Sequence, residues 1–239
     1  MSVFKANSAT EYQDVFVASS SQSTDLGAYA TTADGREFRY AYDGGTALVA
    51  GKLYQAPAED TSNYENLAVS AASVGATTVT ITSSATIVAN ALSGGFMVVT
   101  QTPGLGQTYK IASNTAVSSA TGCVLTLEDP IRVALTTSSK IDIFPSAFNG
   151  ILVQPTSQTS SPVGVAVKST SGTQYAWIQS HGPVGVLASG AITAGQPVAV
   201  STTVAGAVQA ATSGTQTIVG YALTGIADTD YGLVWLNIN

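Results

Sequence analysis

The chain has 239 residues, 45% of them hydrophobic and only 9% charged, with eight Lys+Arg against fourteen Asp+Glu for a net charge of −6. Hydrophobicity this high excludes a disordered chain, and an acidic surplus without a basic stripe excludes a nucleic-acid binder. With charge far below the roughly one quarter of ordinary globular chains, the polar surface must be made of Ser and Thr hydroxyls and amides.

Residues 1–30 hold one apolar run, in "YQDVFVAS", flanked by the polar stretches "NSATEYQ" and "SSSQSTD". The start, "MSVFKANSATEYQD", has no apolar h-region, so no secretory signal is expected. A lone exposed strand is a liability unless it is paired or covered. The segment therefore reads as a frayed terminus, as a stretch packed on its own chain, or as an arm ordered by a neighbour. In the last case Tyr12, Val15, Phe16 and Val17 are the candidate partner-contact residues.

Beyond residue 30, helix formers are scarce, while Val, Thr and Gly recur in period-two segments. In "TTVTITS", Val79 and Ile81 alternate with Thr78, Thr80 and Thr82; in "SKIDIFP", Ile141 and Ile143 oppose Lys140 and Asp142. Turn pairs such as Asp34-Gly35, Gly94-Gly95 and Asn149-Gly150 separate the segments. Strands at this spacing predict an all-β chain, built as a barrel or sandwich.

The order of segments predicts nesting. "GTALVAGKLYQAPA" (45–58) resembles "GAITAGQPVAVSTT" (190–203), each with an Ala-Gly pair leading into a short strand. Between them the composition shifts to Thr, Ser and Ala. The expected organisation is an arm at 1–30, an outer β-barrel domain at 31–66 plus 146–239, and an inserted β subdomain at 67–145. The insert's predicted core is Val79, Ile81, Val98, Ile111, Leu125, Leu127, Ile141 and Ile143.

The search for chemistry returns structural readings. His181, in "YAWIQSHGPVGVL", is the single histidine. No G-x-S-x-G elbow surrounds a serine, and adjacent Ser180 and His181 face opposite ways on a strand, so His181 reads as a polar strand-end residue before a Gly182-Pro183 turn. Zinc needs three or four ligands, and one His with one distant Cys supplies no such set. Asp228 and Asp230 alternate in "ADTDYG" without the rest of a calcium loop. The pairs Glu59-Asp60 and Glu128-Asp129 have no aromatic cleft around them. Gly104, Gly106 and Gly122 read as turn glycines, since no P-loop signature contains them. Cys123 lies in an apolar run and reads as a buried, inert thiol. Tyr175, Trp177, Tyr221, Tyr231 and Trp235 read as core packing first and interface second. No catalytic residue, metal site or cofactor is expected, and no apolar run approaches the roughly 20 residues of a membrane-spanning helix.

The C-terminal stretch "GPVGVLASGAITAGQPVAVSTTVAGAVQAATSGTQTIVGYALTGIADTDYGLVWLNIN" resembles the small β-barrel decoration, or cement, proteins of tailed-bacteriophage capsids. An "AG-x-x-V" strand, a hairpin with "AGAV", an "IVGYAL" strand and a closing apolar strand carry the likeness. "GGFMVVTQTPGLGQTYKI" and "CVLTLEDPIRVALTTSSKIDIFP" are similar to segments of longer phage virion proteins. The resemblance implies a non-enzymatic protein made in the host cytoplasm that binds the major capsid protein on the outer face of the virion. It also implies a homo-oligomer, with a trimer favoured, and no nucleic-acid or membrane partner. The alternative is a head-fibre, tail or receptor-binding protein contacting the host surface.

Overall fold

The structure, a computed structural model, describes residues 3–6, 12–84, 86–118 and 122–238, with the backbone alone at 3–6, 12 and 13. Eighteen strands and one short helix make up the regular structure among these residues, as the abundance of Val and Thr and the shortage of helix formers dictate. The first five strands are β1 (Val3–Ala6), β2 (Tyr12–Asp14), β3 (Tyr29–Thr31), β4 (Glu37–Tyr42) and β5 (Leu53–Gln55). Helix α1 (Thr61–Tyr64) is followed by β6 (Leu67–Val69), β7 (Thr78–Thr82), β8 (Phe96–Gln101), β9 (Thr108–Asn114), β10 (Gly122–Leu127) and β11 (Lys140–Phe144). The remaining strands are β12 (Leu152–Val153), β13 (Pro162–Ala166), β14 (Tyr175–Leu187), β15 (Pro197–Val200), β16 (Val208–Ala210), β17 (Ile218–Ala222) and β18 (Tyr231–Asn237).

The chain divides into two units, 1–58 with 147–239, and 59–146. The second is a closed antiparallel barrel in the order β10-β7-β6-β11-β8-β9. Closure leaves no free edge. Strand alternation puts Val79, Ile81, Tyr109, Ile111, Cys123, Leu125, Ile141 and Ile143 inside, where they form one buried cluster. Burying each such side chain is worth about 1.5–3 kcal/mol, so the barrel has a core of its own. Two sequence expectations are corrected here. Val98 is only half-buried and on the outer face, while its neighbours Met97 and Val99 point in; the run "FMVV" has no polar residue to mark its phase. The unit also begins near residue 59 rather than 67. Asp60 caps α1, its carboxylate accepting from the Asn63 backbone N–H at 3.2 Å, and Tyr64 packs against the barrel core.

The first unit is one twelve-stranded sheet. Its main path runs β16-β15-β17-β18-β14-β4-β3-β1-β2, with β5, β12 and β13 joined beside it. The thirteen-residue β14 ties the parts together. Its first half pairs with β4 and β13, and its second half with β18. His181 therefore sits within a continuous strand and not at a strand end. The Gly182-Pro183 pair follows a register shift between Gln179 and His181, so it bends the strand where the sequence suggested a turn.

The proposed internal repeat has a backbone counterpart. Gly51 (φ +79°) and Gly195 (φ +84°) both take left-handed conformations two residues before a short strand, a geometry that favours glycine. The chain leaves this unit after β5 and re-enters before β12, and these two strands pair, Gln55 with Leu152 and Tyr54 with Val153. At the sheet's N-terminal side, β1 pairs with both β2 and β3.

Buried Asp43 fixes the turn after β4. Its carboxylate accepts from Thr170 Oγ1 at 2.7 Å, Gln174 N at 3.0 Å and Gly45 N at 3.1 Å. A buried charge is tolerable only with such a set of donors.

Candidate functional site

No Asp, Glu, Lys or Arg occurs between residues 169 and 227. The fold gathers much of this uncharged stretch into β14, β15 and β17 beside β18. One face of these strands packs on the core through Val184, Val186, Val198, Val219, Val234 and Leu236. The other face is exposed, and it too is apolar. On β18, Tyr231 is 50% exposed and Leu233 41%. On and beside β17, Ile218, Tyr221 and Leu223 are also exposed. A sheet with one face in water ordinarily alternates apolar and polar residues; β18 is apolar on both sides up to Asn237.

Register organises the face into rows. Gly185 lies opposite Leu233, and Pro183 opposite Trp235. Trp235 lies in turn opposite Tyr221, and Tyr221 opposite Pro197. The Tyr221 and Trp235 rings stack, and His181 meets Trp235 in a T-shaped contact with centroids 5.7 Å apart. An added Cβ at Gly220 would overlap the Trp235 carbonyl oxygen, so the close approach of β17 to β18 requires glycine there.

At one border the face sinks into a groove of about 400 Å³. Phe16, Arg36, Gly51, Pro183, Tyr231 and Leu233 are among its lining residues. The Tyr231 ring lies over Gly51, whose Cα leaves no room for a side chain beneath it. Arg36 is paired with Asp34 at 2.9 Å and its guanidinium lies 5.7 Å from the Phe38 ring centroid.

The sequence-predicted arm residues separate. Val15 is fully buried against Ala30, Phe38, Tyr40 and Trp177, so it is a core residue of its own chain and not a partner contact. Phe16 and Val17 are exposed, at 40% and 59%. A turn after Asp14, whose carboxylate accepts from Phe16 N at 2.9 Å, directs them outward. The Tyr12 side chain lies outside the described residues. The aromatic set also splits. Trp177 is buried and Tyr175 stacks on Tyr40, as core packing predicts, whereas Tyr221 and Tyr231 are exposed on the face.

The remaining candidates take structural positions. Asp228 accepts from Gly190 N at 2.6 Å and Asp230 from Tyr231 N at 2.8 Å; both close turns. Glu128 pairs with Lys110 at 2.7 Å. Ser180 is buried and His181 half-buried, at the register shift of β14 against β4. Among the described residues no group of three or more His, Cys, Asp and Glu side chains converges to hold a metal ion. Cys123 is fully buried, and burial pushes its thiol pKa up.

Sequence reasoning missed Arg36, Gly51 and Leu233 as lining residues. They come from distant segments that only the sheet order brings together. None of the three lies within the uncharged stretch 169–227, so no local pattern marks them. No family model matches the chain, and neither a curated protein nor a solved structure matches it.

Proposed function

We propose that this chain is a non-enzymatic virion structural protein that binds the outer surface of an assembled phage capsid and stabilises it, with the major capsid protein as its partner. The observation that carries the reading is the groove rimmed by Phe16, Tyr231 and Leu233. Exposed aromatic and aliphatic side chains around a preformed concavity are what a protein needs to grip a protruding apolar segment. Pro183, Val184, Gly185, Tyr231 and Leu233 of the groove belong to the paired strands β14 and β18, and a site built on paired strands loses less freedom on binding than one built on loops. The acidic balance of the chain suits a surface facing away from packaged DNA.

The test is co-sedimentation with undecorated capsids of the source phage. Saturable binding is expected, with Phe16→Asp weakening it by about tenfold or more. Unchanged binding by this variant would remove the groove from the contact. Failure of the unaltered protein to bind capsids, alongside binding to host cells, would replace this reading with receptor binding by a fibre or tail protein.

A further inference from the structure

We infer that the β17–β18 face is the contact between two copies of this chain, packed sheet against sheet about a two-fold axis. The inference rests on the exposed face and not on the capsid reading; Tyr231 and Leu233 belong both to this face and to the groove rim, so a second copy and a capsid segment would share them. It starts from the outward residues Ile218, Tyr221, Leu223, Tyr231 and Leu233, each between 38% and 50% exposed. Together they leave an apolar patch on the order of 400 Å², within the range of the largest patch on a typical monomer, which is often a functional surface. A standard interface takes about 800 Å² from each partner, apolar at the centre and polar at the rim. The patch is large enough to be that centre.

Charge selects the occupant. A partner with charged groups at the contact would lose their hydration and find no counter-charge, because the strands supply none. The partner must bring an uncharged apolar face, and a second copy brings this one. Two copies at −6 each repel, and a face free of charge keeps the repelling groups away from the contact. Tyr221 and Trp235 lie side by side across β17 and β18 with near-parallel rings. Two such sheets pack face to face at about 10 Å. One patch meeting itself is an isologous contact, which closes at two copies. The expected state is thus a dimer and not the trimer implied by the resemblance.

Sedimentation equilibrium of the purified chain over a range of concentrations tests this. The expected mass is twice 24.1 kDa, and high salt should leave the association intact or strengthen it, since no ion pairs hold it. Tyr221→Asp and Leu223→Asp should each weaken the dimer by about tenfold or more, while Phe16→Asp in the groove leaves it unchanged. Thermal melts of the variants show whether each remains folded, and Leu223→Ser is the milder substitution if an aspartate unfolds the chain. A monomer at all concentrations overturns the proposal, and so does a mass of three copies. Dimerisation that survives every one of these folded variants also overturns it. A monomer whose Tyr221→Asp variant loses capsid binding would reassign the face to the shell.

Discussion

Tyr221 and Trp235 are directly opposed across β17 and β18, their ring centroids 6.3 Å apart and their planes within 8° of parallel. His181, two residues along β14 from the Pro183 that faces Trp235, sets its ring nearly perpendicular to that of Trp235. The one imidazole of the chain is thereby packed against an aromatic ring. Its environment supplies a packing partner in Trp235, and the adjacent Ser180 is buried.

His181→Ala should therefore cost only about 0.5–1.5 kcal/mol, the range for one aromatic contact. Urea denaturation measures the loss, and co-sedimentation with capsids should show unchanged binding. A loss of binding in a fully folded variant would give His181 a direct role at the contact.

Asp43→Ala should be far more damaging. It removes the acceptor for Thr170 Oγ1 and for the Gln174 and Gly45 amides, leaving part-buried donors without their partner at a cost of about 1–3 kcal/mol. The expected readout is a lower urea midpoint with an unchanged slope.

Two glycine substitutions on the strands flanking β18 should differ sharply. Gly220→Ala forces a methyl into the Trp235 backbone and should cost about 2 kcal/mol or more by displacing β17 from β18. Gly185→Ala meets nothing within 4 Å and should leave the melting temperature nearly unchanged. Equal losses from the two would contradict the strand spacing described here.

Replacing residues 59–146 by a short Gly/Ser bridge should leave the first unit folded. Its cores are separate from the barrel's, and β5 with β12 already holds the two cut ends together. Circular dichroism and a cooperative melt check this; a molten remainder would show that the barrel is needed for the outer sheet.

Cys123 should react with a thiol reagent only after unfolding, because its sulfur is enclosed in the barrel. Its raised pKa also sets a sign. The folded state holds the thiol proton more tightly than the unfolded state does. The barrel's stability from this group is therefore complete below the ordinary thiol value of about 8.5 and declines as pH rises above it. Cys123→Ser should flatten that decline in an alkaline stability profile.

Period-two patterning made the strands legible, and at Val79, Ile81, Ile141 and Ile143 it also gave the buried side, because Thr, Lys or Asp occupied the other. Where both sides are apolar the phase is invisible. That is why Val98 stood in for Met97 and Val99, and why Tyr221 and Tyr231 read as core. Local turn chemistry misled at Gly182-Pro183, where pairing with β18 carries the strand onward. Val15 stands with Phe16 and Val17 among the candidate arm contacts because the turn that separates it from Phe16 depends on an Asp14 side-chain contact. The groove itself is a product of sheet order, which alternation does not encode.

The pairing of β14 with β4 carries a consequence for biogenesis. Tyr42 must wait for Tyr175, roughly 130 residues later in the chain and about ten seconds or more of ribosome time. Throughout that delay β3 and β4 have no finished sheet to join. The barrel has no such wait, since all its strands lie between Leu67 and Phe144, and local pairing is fast pairing. On the ribosome the interior segment should thus reach its native form before the flanking one, and nascent chains stalled soon after residue 180 should yield a protease-resistant barrel with a digestible N-terminal portion. The vulnerable period of this molecule's life ends with the emergence of β14, which makes that strand the point at which a chaperone has most to protect.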